Sequence, residues 1–146
     1  EFHIGDPMVG ELLQEANVTF AYSVEPLLQK DSLEITAEDR RMIRSRVERV
    51  TESMVLITHG TDTMVATAKD LQGIENKTIV LFGAMQPARM RYSDAMFNLG
   101  IASAAVQILP AGIYIAMNGQ IFAPDEVTKN RAEARFEKIA EHTRSD

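Results

Sequence analysis

The chain has no cysteine among its 146 residues. Disulfides, cysteine-ligated zinc and thiol catalysis are therefore excluded. A cysteine-free chain also fits a cytoplasmic location. Basic charge is scarce: 15 Lys and Arg stand against 21 Asp and Glu, for a formal net charge of -6. The basic face that nucleic-acid binding requires is missing, so no nucleic-acid partner is expected. No apolar run approaches the roughly 18 residues of a membrane span, so no membrane partner is expected. No signal-peptide pattern is visible, and the sequence opens on Glu1 rather than Met. Neither a Gly-x-Gly-x-x-Gly nor a Gly-x-x-x-x-Gly-Lys-Ser/Thr loop occurs, which counts against a nucleotide-binding sheet domain. The three histidines are scattered without metal-ligand spacing.

What is present is ordinary for a globular protein: 45% hydrophobic and 25% charged residues. The length predicts one domain over residues 1–146, with chain enough for a real core. Apolar runs at 54–58, 77–82 and 112–117 read as buried strands. Residues 18–24, rich in β-branched and aromatic types, read as another strand. Helical patterns alternate with these strands. One starts at Asp6-Pro7, where Pro suits the first helical position. Another starts at the Thr36-x-x-Asp39 box and runs to about Arg49. Its Met42, Ile43, Val47 and Val50 point inward, and its arginines form a solvated face. Further helices are expected over 62–71, over 95–107 behind a Ser93-Asp94 cap, and over 131–142. Asn118-Gly119 signals a hairpin returning through 120–123, and 125–129 reads as a loop. The fold class is α/β: a doubly wound, mostly parallel sheet with helices on both faces and a short β-hairpin near the C-terminus.

The chemistry concentrates in Met54-Val-Leu-Ile-Thr-His-Gly-Thr-Asp-Thr-Met64. A buried strand there delivers hydroxyls and a carboxylate to a helix start, at the carboxyl end of the sheet where open α/β folds bind ligands. Thr61 is a candidate nucleophile that needs a base. The plainer alternative is that Thr61 or Asp62 caps the helix. His59 is the nearest base, or a packed strand-end histidine. Ser32 is a candidate hydroxyl in a polar turn after a strand, or an ordinary turn or cap hydroxyl. Lys129 is a surface charge unless a partner makes it a base. Gly60 and the Gly83-Ala84-Met85 turn offer backbone N–H groups for an oxyanion, or only tight turns.

These pieces resemble the bacterial-type L-asparaginase/glutaminase family. Ile57-Thr58-His59-Gly60-Thr61-Asp62-Thr63-Met64 looks like its signature block. Val80 to Pro87, with Phe97-Asn98-Leu99, looks like the next strand and helix. Ile115-Ala116-Met117-Asn118 followed by Asp125 to Lys129 looks like the segment ending at the family's lysine. Lys30-Asp31-Ser32-Leu33-Glu34-Ile35-Thr36 resembles its substrate-serine loop.

The resemblance implies hydrolysis of L-asparagine, or L-glutamine, to the acid and ammonia, without cofactor or metal. It implies a hydrogen-bonded triad of Thr61, Asp62 and Lys129, with the lysine activating a hydroxyl or water and Asp62 holding the substrate's α-amino group. Ser32 would bind the α-carboxylate, and the backbone at Gly60 and Ala84 would lie beside the substrate. The expected partners are a small amino acid (asparagine, aspartate or glutamine) and further copies of the chain, the helix over 95–107 being apolar nearly all round. The family's second catalytic threonine lies in a Thr-Gly-Gly-Thr motif on the first strand. No such motif occurs in this sequence, so that strand is expected upstream of residue 1. The family's C-terminal domain also has no counterpart here. The competing reading is a non-catalytic amino-acid-binding domain built on the same fold.

Overall fold

The computed structural model describes residues 2–4, 8–86 and 93–139. Five strands run parallel: β1 (Phe2–Ile4), β2 (Ser23–Glu25), β3 (Met54–Thr58), β4 (Thr78–Phe82) and β5 (Gly112–Met117). A sixth, β6 (Gln120–Phe122), returns antiparallel to β5 through the Asn118-Gly119 turn, where both residues have positive φ. The sheet order is β2-β1-β3-β4-β5-β6. After β1 the chain goes to β2 on one side and then crosses to β3 on the other. The order therefore reverses between β1 and β3, a position where α/β sheets open a crevice at their carboxyl ends.

Each central strand sends alternate side chains to opposite faces. Leu56, Val80, Phe82 and Ala116 meet helices α1 (Met8–Glu15) and α4 (Ala95–Ile108). Val55, Ile57, Ile79, Leu81, Ile113 and Ile115 meet α2 (Ala37–Arg49) and α3 (Met64–Asp70). Burial on both faces explains why these strands read as continuous apolar runs. The doubly wound reading holds. Among the described residues no helix is long and apolar enough to cross a membrane.

The Thr36-x-x-Asp39 start forms a full capping box, with Asp39 N–H on Thr36 Oγ1 at 3.1 Å and Thr36 N–H on Asp39 Oδ2 at 2.9 Å. Ile43 and Val47 are buried as expected, whereas Met42 is exposed. The arginine face is less solvated than expected. Arg40 pairs with Asp70, Arg44 donates to the carbonyls of Asp70 and Gln72, and Arg46 pairs with Glu25. These contacts tie α2 to the end of α3 and to β2.

Two expectations are corrected. Of the 18–24 region only Ser23 and Val24 are strand, in β2, which ends at Glu25. Val18, Phe20 and Tyr22 pack on the α1/α4 side without joining the ladder, so their composition reflected burial rather than pairing. The expected loop over 125–129 holds only as far as a 3-10 turn (Pro124–Glu126); from Val127 on, and in place of the helix expected from 131, the chain forms a hairpin of β7 (Val127–Asn130) and β8 (Arg135–Lys138). Phe136 is buried between exposed Arg135 and half-exposed Glu137, a strand period of two. A charged helix with few apolar residues has little to bury, whereas the hairpin packs Phe136 and Val127 against the α2/α3 core. The expected helix start at Asp6-Pro7, and residues beyond 139, lie outside the described residues.

Candidate active site

Residues after β3 form the centre of the site. His59 follows the strand and is buried; its N–H donates to Phe82 O at 2.9 Å. Its ring has two partners. Nδ1 lies 2.7 Å from the Gly60 carbonyl, which can only accept, so Nδ1 carries the proton. Nε2 then accepts from Thr67 Oγ1 at 2.8 Å. Burial, opposed by the Gly60 hydrogen bond, pushes the imidazole below the ordinary histidine range. His59 is therefore a neutral histidine with both nitrogens engaged, and it has no lone pair free to act as a base.

Thr61, Asp62 and Thr63 form the turn before α3. Neither Thr61 nor Asp62 occupies the cap position; Thr63 does, without a side-chain cap bond. Thr61 and Asp62 instead face Lys129, 68 residues along the chain from Thr61. Lys129 Nζ donates to Thr61 Oγ1 and to Asp62 Oδ1, each at 2.7 Å. Strand periodicity brings the lysine there. Val127 and Lys129 lie on the same side of β7, and Val127 is anchored in the core. Arg131 Nη2 adds a second cation 3.4 Å from the same Asp62 oxygen. The Lys129 hydrogen bond, and then the charges of Lys129 and Arg131, hold the Asp62 carboxyl below the usual carboxylate range.

Ser32 is buried in a short 3-10 turn (Ser32–Glu34) that Asp31 opens by accepting from Leu33 N–H. Thr63 N–H donates to Ser32 Oγ at 2.9 Å, and Thr63 Oγ1 donates to the Ser32 carbonyl at 2.8 Å. The Ser32 hydroxyl closes the pair by donating to Thr63 Oγ1, also at 2.8 Å. Gly60 makes this approach possible: a Cβ there would lie 2.4 Å from Ser32 Cβ. Gly83 does the same at the end of β4, where a Cβ would meet the His59 carbonyl oxygen at 2.2 Å.

A cavity of about 710 Å³ opens at this end of the sheet, lined by Ser32, Gly60 and Ala84 together with Ile57, Leu27 and Leu28. Thr61, Asp62 and Lys129 do not line it; Thr61 and Asp62 sit on the turn that continues from Gly60, and Lys129 reaches them from β7. The structure thus forms two adjoining groups. One is a hydrogen-bonded Thr-Asp-Lys cluster. The other is a pocket lined by the serine and the two backbone positions.

Three participants were not anticipated as site residues. Thr63 was in view inside the signature block, but its pairing with Ser32 spans 31 residues. Asp94 was expected to cap α4. Its carboxylate instead accepts from Met85 N–H and Gln86 N–H, while Ser93 Oγ takes the Ala95 N–H. Asn98 donates to the Gly83 carbonyl at 2.8 Å and to Asp94 at 3.1 Å. A buried polar residue inside an apolar helix was the available signal for it. The oxyanion option at Gly83-Ala84-Met85 also narrows, because Met85 N–H is already engaged.

The sequence matches the family profile "Asparaginase, N-terminal" over residues 6–141. The chain belongs to the asparaginase family. Among its relatives within the family, the glutaminase-asparaginase of Acinetobacter glutaminasificans is 34% identical over 132 residues. That match covers 84% of this chain but 38% of the relative, so the asparaginase-family chain spans less than two fifths of that protein. A probable cytoplasmic L-asparaginase from Campylobacter jejuni superimposes with a TM-score of 0.83 at 25% identity, covering 94% of this chain and 52% of that one. The thermostable L-asparaginase of Thermococcus kodakarensis gives 0.81 at 26% identity, over 94% and 50%.

Proposed function

We propose that residues 1–146 make up one asparaginase N-terminal-like domain that hydrolyses L-asparagine, or L-glutamine, to the acid and ammonia. The observation that carries this reading is Lys129 Nζ at 2.7 Å from both Thr61 Oγ1 and Asp62 Oδ1. In this reading Lys129 is the base that takes the proton of the Thr61 hydroxyl or of a water beside it. The oxygen attacks the carboxamide carbon, and the lysine returns the proton to the leaving nitrogen, which departs as ammonia; where that oxygen is Thr61 Oγ1, a water then attacks the acyl-threonine ester, the acid leaves and the proton returns to Thr61. Asp62 supplies the compensating charge and holds the substrate's amino group. Ser32 binds the α-carboxylate once its hydroxyl turns from Thr63, and the backbone of Gly60 and Ala84 borders the amide. The test is ammonia release from asparagine and glutamine. Release no greater than that of the Thr61→Ala, Lys129→Ala double variant would overturn the proposal.

One observation favours a second reading, an amino-acid-binding domain without turnover. Ser32, Gly60 and Ala84 line the cavity, whereas Thr61, Asp62 and Lys129 do not. Calorimetric binding of asparagine without ammonia release would select it.

Self-association is also proposed. Phe97, 60% exposed, borders the β5–β6 turn at Gly119, and Ile121 on β6 is 41% exposed. Sedimentation of the protein tests this. The likeness to the Campylobacter jejuni protein supports a cytoplasmic location, which cell fractionation tests.

A further inference from the structure

The turn after β4 is held from one side. Asn98, on the second turn of α4, is 1% exposed and donates to the Gly83 carbonyl at 2.8 Å. Asp94, at the start of α4, accepts from Met85 N–H at 3.0 Å and Gln86 N–H at 3.2 Å. The second amide hydrogen of Asn98 goes to Asp94 Oδ2 at 3.1 Å, so the two side chains also hold each other. Asp94 occupies the N-cap position of α4 but makes no side-chain cap bond; Ser93 Oγ takes the Ala95 N–H, and the Asp94 carboxylate goes to the turn.

Peptide planarity turns this into a statement about Ala84. The Gly83 carbonyl and the Ala84 N–H belong to one trans peptide and point in opposite directions, as do the Ala84 carbonyl and the Met85 N–H. Fixing the Gly83 carbonyl on Asn98 therefore turns the Ala84 N–H away from α4. Fixing Met85 N–H on Asp94 turns the Ala84 carbonyl away as well. Among the described residues neither Ala84 group has a hydrogen-bond partner, and Ala84 lines the cavity. The hydrogen bonds that flank it are charge-assisted on the Asp94 side and buried on the Asn98 side, which makes them strong and hard to exchange for water.

We propose that Asp94 and Asn98 are positioning residues that hold the Ala84 peptide groups toward the ligand and so set preference for a carboxamide over a carboxylate. The proposal rests on the reading of this cavity as an amino-acid amide site. A backbone carbonyl can only accept a hydrogen bond. It pairs with the NH2 of a carboxamide and has nothing to take from a carboxylate. A turn free to rotate its peptides loses that discrimination without touching Ser32 at the other end of the ligand.

The experiment is calorimetric titration of the protein with L-asparagine and with L-aspartate, for the wild type, Asp94→Asn and Asn98→Ala, with thermal unfolding recorded for each. The expected result is a fall of about three- to tenfold in the asparagine-to-aspartate affinity ratio, the worth of the one neutral hydrogen bond that the Ala84 carbonyl makes to a carboxamide alone. A folded variant with an unchanged ratio overturns the proposal and leaves the amide-site reading standing. A wild type that binds neither amino acid overturns both. Amide hydrogen exchange in the wild type gives a test that needs no variant to fold. Met85 and Gln86 are expected to be protected throughout, and Ala84 to become protected when asparagine is added. An Ala84 amide that asparagine does not protect overturns the proposal.

Discussion

Gly60→Ala is the sharpest single perturbation of the site. Its added Cβ would stand 2.4 Å from Ser32 Cβ, 3.0 Å from Ser32 Oγ and 3.2 Å from Ser32 Cα. Carbon atoms rest about 3.5–4.0 Å apart, so the Ser32 turn must retreat by about 1 Å. That turn is held by hydrogen bonds to Thr63 of 2.8 and 2.9 Å. A retreat of that size stretches them beyond the range in which they hold. Overpacking of this kind costs about 1–3 kcal/mol, and at about 2–4 °C per kcal/mol the midpoint of thermal unfolding should fall by about 2–12 °C. A misplacement of about 1 Å in a positioning group costs about a hundredfold in rate, so ammonia release should fall far more than stability does. A second substitution separates the two effects. Ser32→Gly in the Gly60→Ala background removes the Cβ that is struck, so the unfolding midpoint should recover in part. The hydroxyl is also gone, so substrate affinity should not recover. Gly60→Ala protein with wild-type unfolding and wild-type ligand affinity would refute the reasoning, because the Ser32 turn would then be free to move.

Lys129→Met should reduce ammonia release by about 10²–10⁴, the usual worth of a general base, whereas His59→Gln should leave it within about tenfold; steady-state kinetics of both variants decides which residue is the base. The Lys129 hydrogen bond depresses the Asp62 carboxyl, so its contribution to stability is present above the unfolded-state value of about 3.9 and is lost as pH falls through the lower folded value. Urea unfolding across the acid range should therefore show a shallower decline for Lys129→Met than for the wild type. His59 is also depressed, chiefly by burial, so the unfolded chain binds the extra proton first and stability declines as pH falls below about 6.5. In His59→Gln that decline should be absent from the same measurement. Gly83→Ala drives a Cβ to 2.2 Å from the His59 carbonyl, a backbone atom that cannot swing aside. Its unfolding midpoint, read by circular dichroism, should fall at least as far as that of Gly60→Ala.

Much of the framework was legible because its signals are local. The apolar runs at β3, β4 and β5, the Thr36-x-x-Asp39 capping box and the Asn118-Gly119 turn each specify their geometry within a few residues. The hairpin at β7 and β8 was not legible in the same way. Phe136 and Ile139 suit a helical face as well as a strand, and only packing of Phe136 beside Val127 on the core chooses between them. The signature block pointed to Thr61 and Asp62, but by residues alone its own His59 was the natural base. The fold removed that option by burying the ring and engaging both its nitrogens.

The sequence by itself determined the doubly wound sheet, the strand end that carries Thr61 and Asp62, and the family of the chain. Backbone periodicity and turn chemistry are written into neighbouring residues. Tertiary structure alone decided the partners. It set Lys129 against Thr61 across 68 residues and locked Ser32 onto Thr63 across 31. It also turned Asp94 from a helix cap into a brace for the Ala84 turn. Such contacts depend on how packed layers bring distant segments together, and no local pattern encodes that distance.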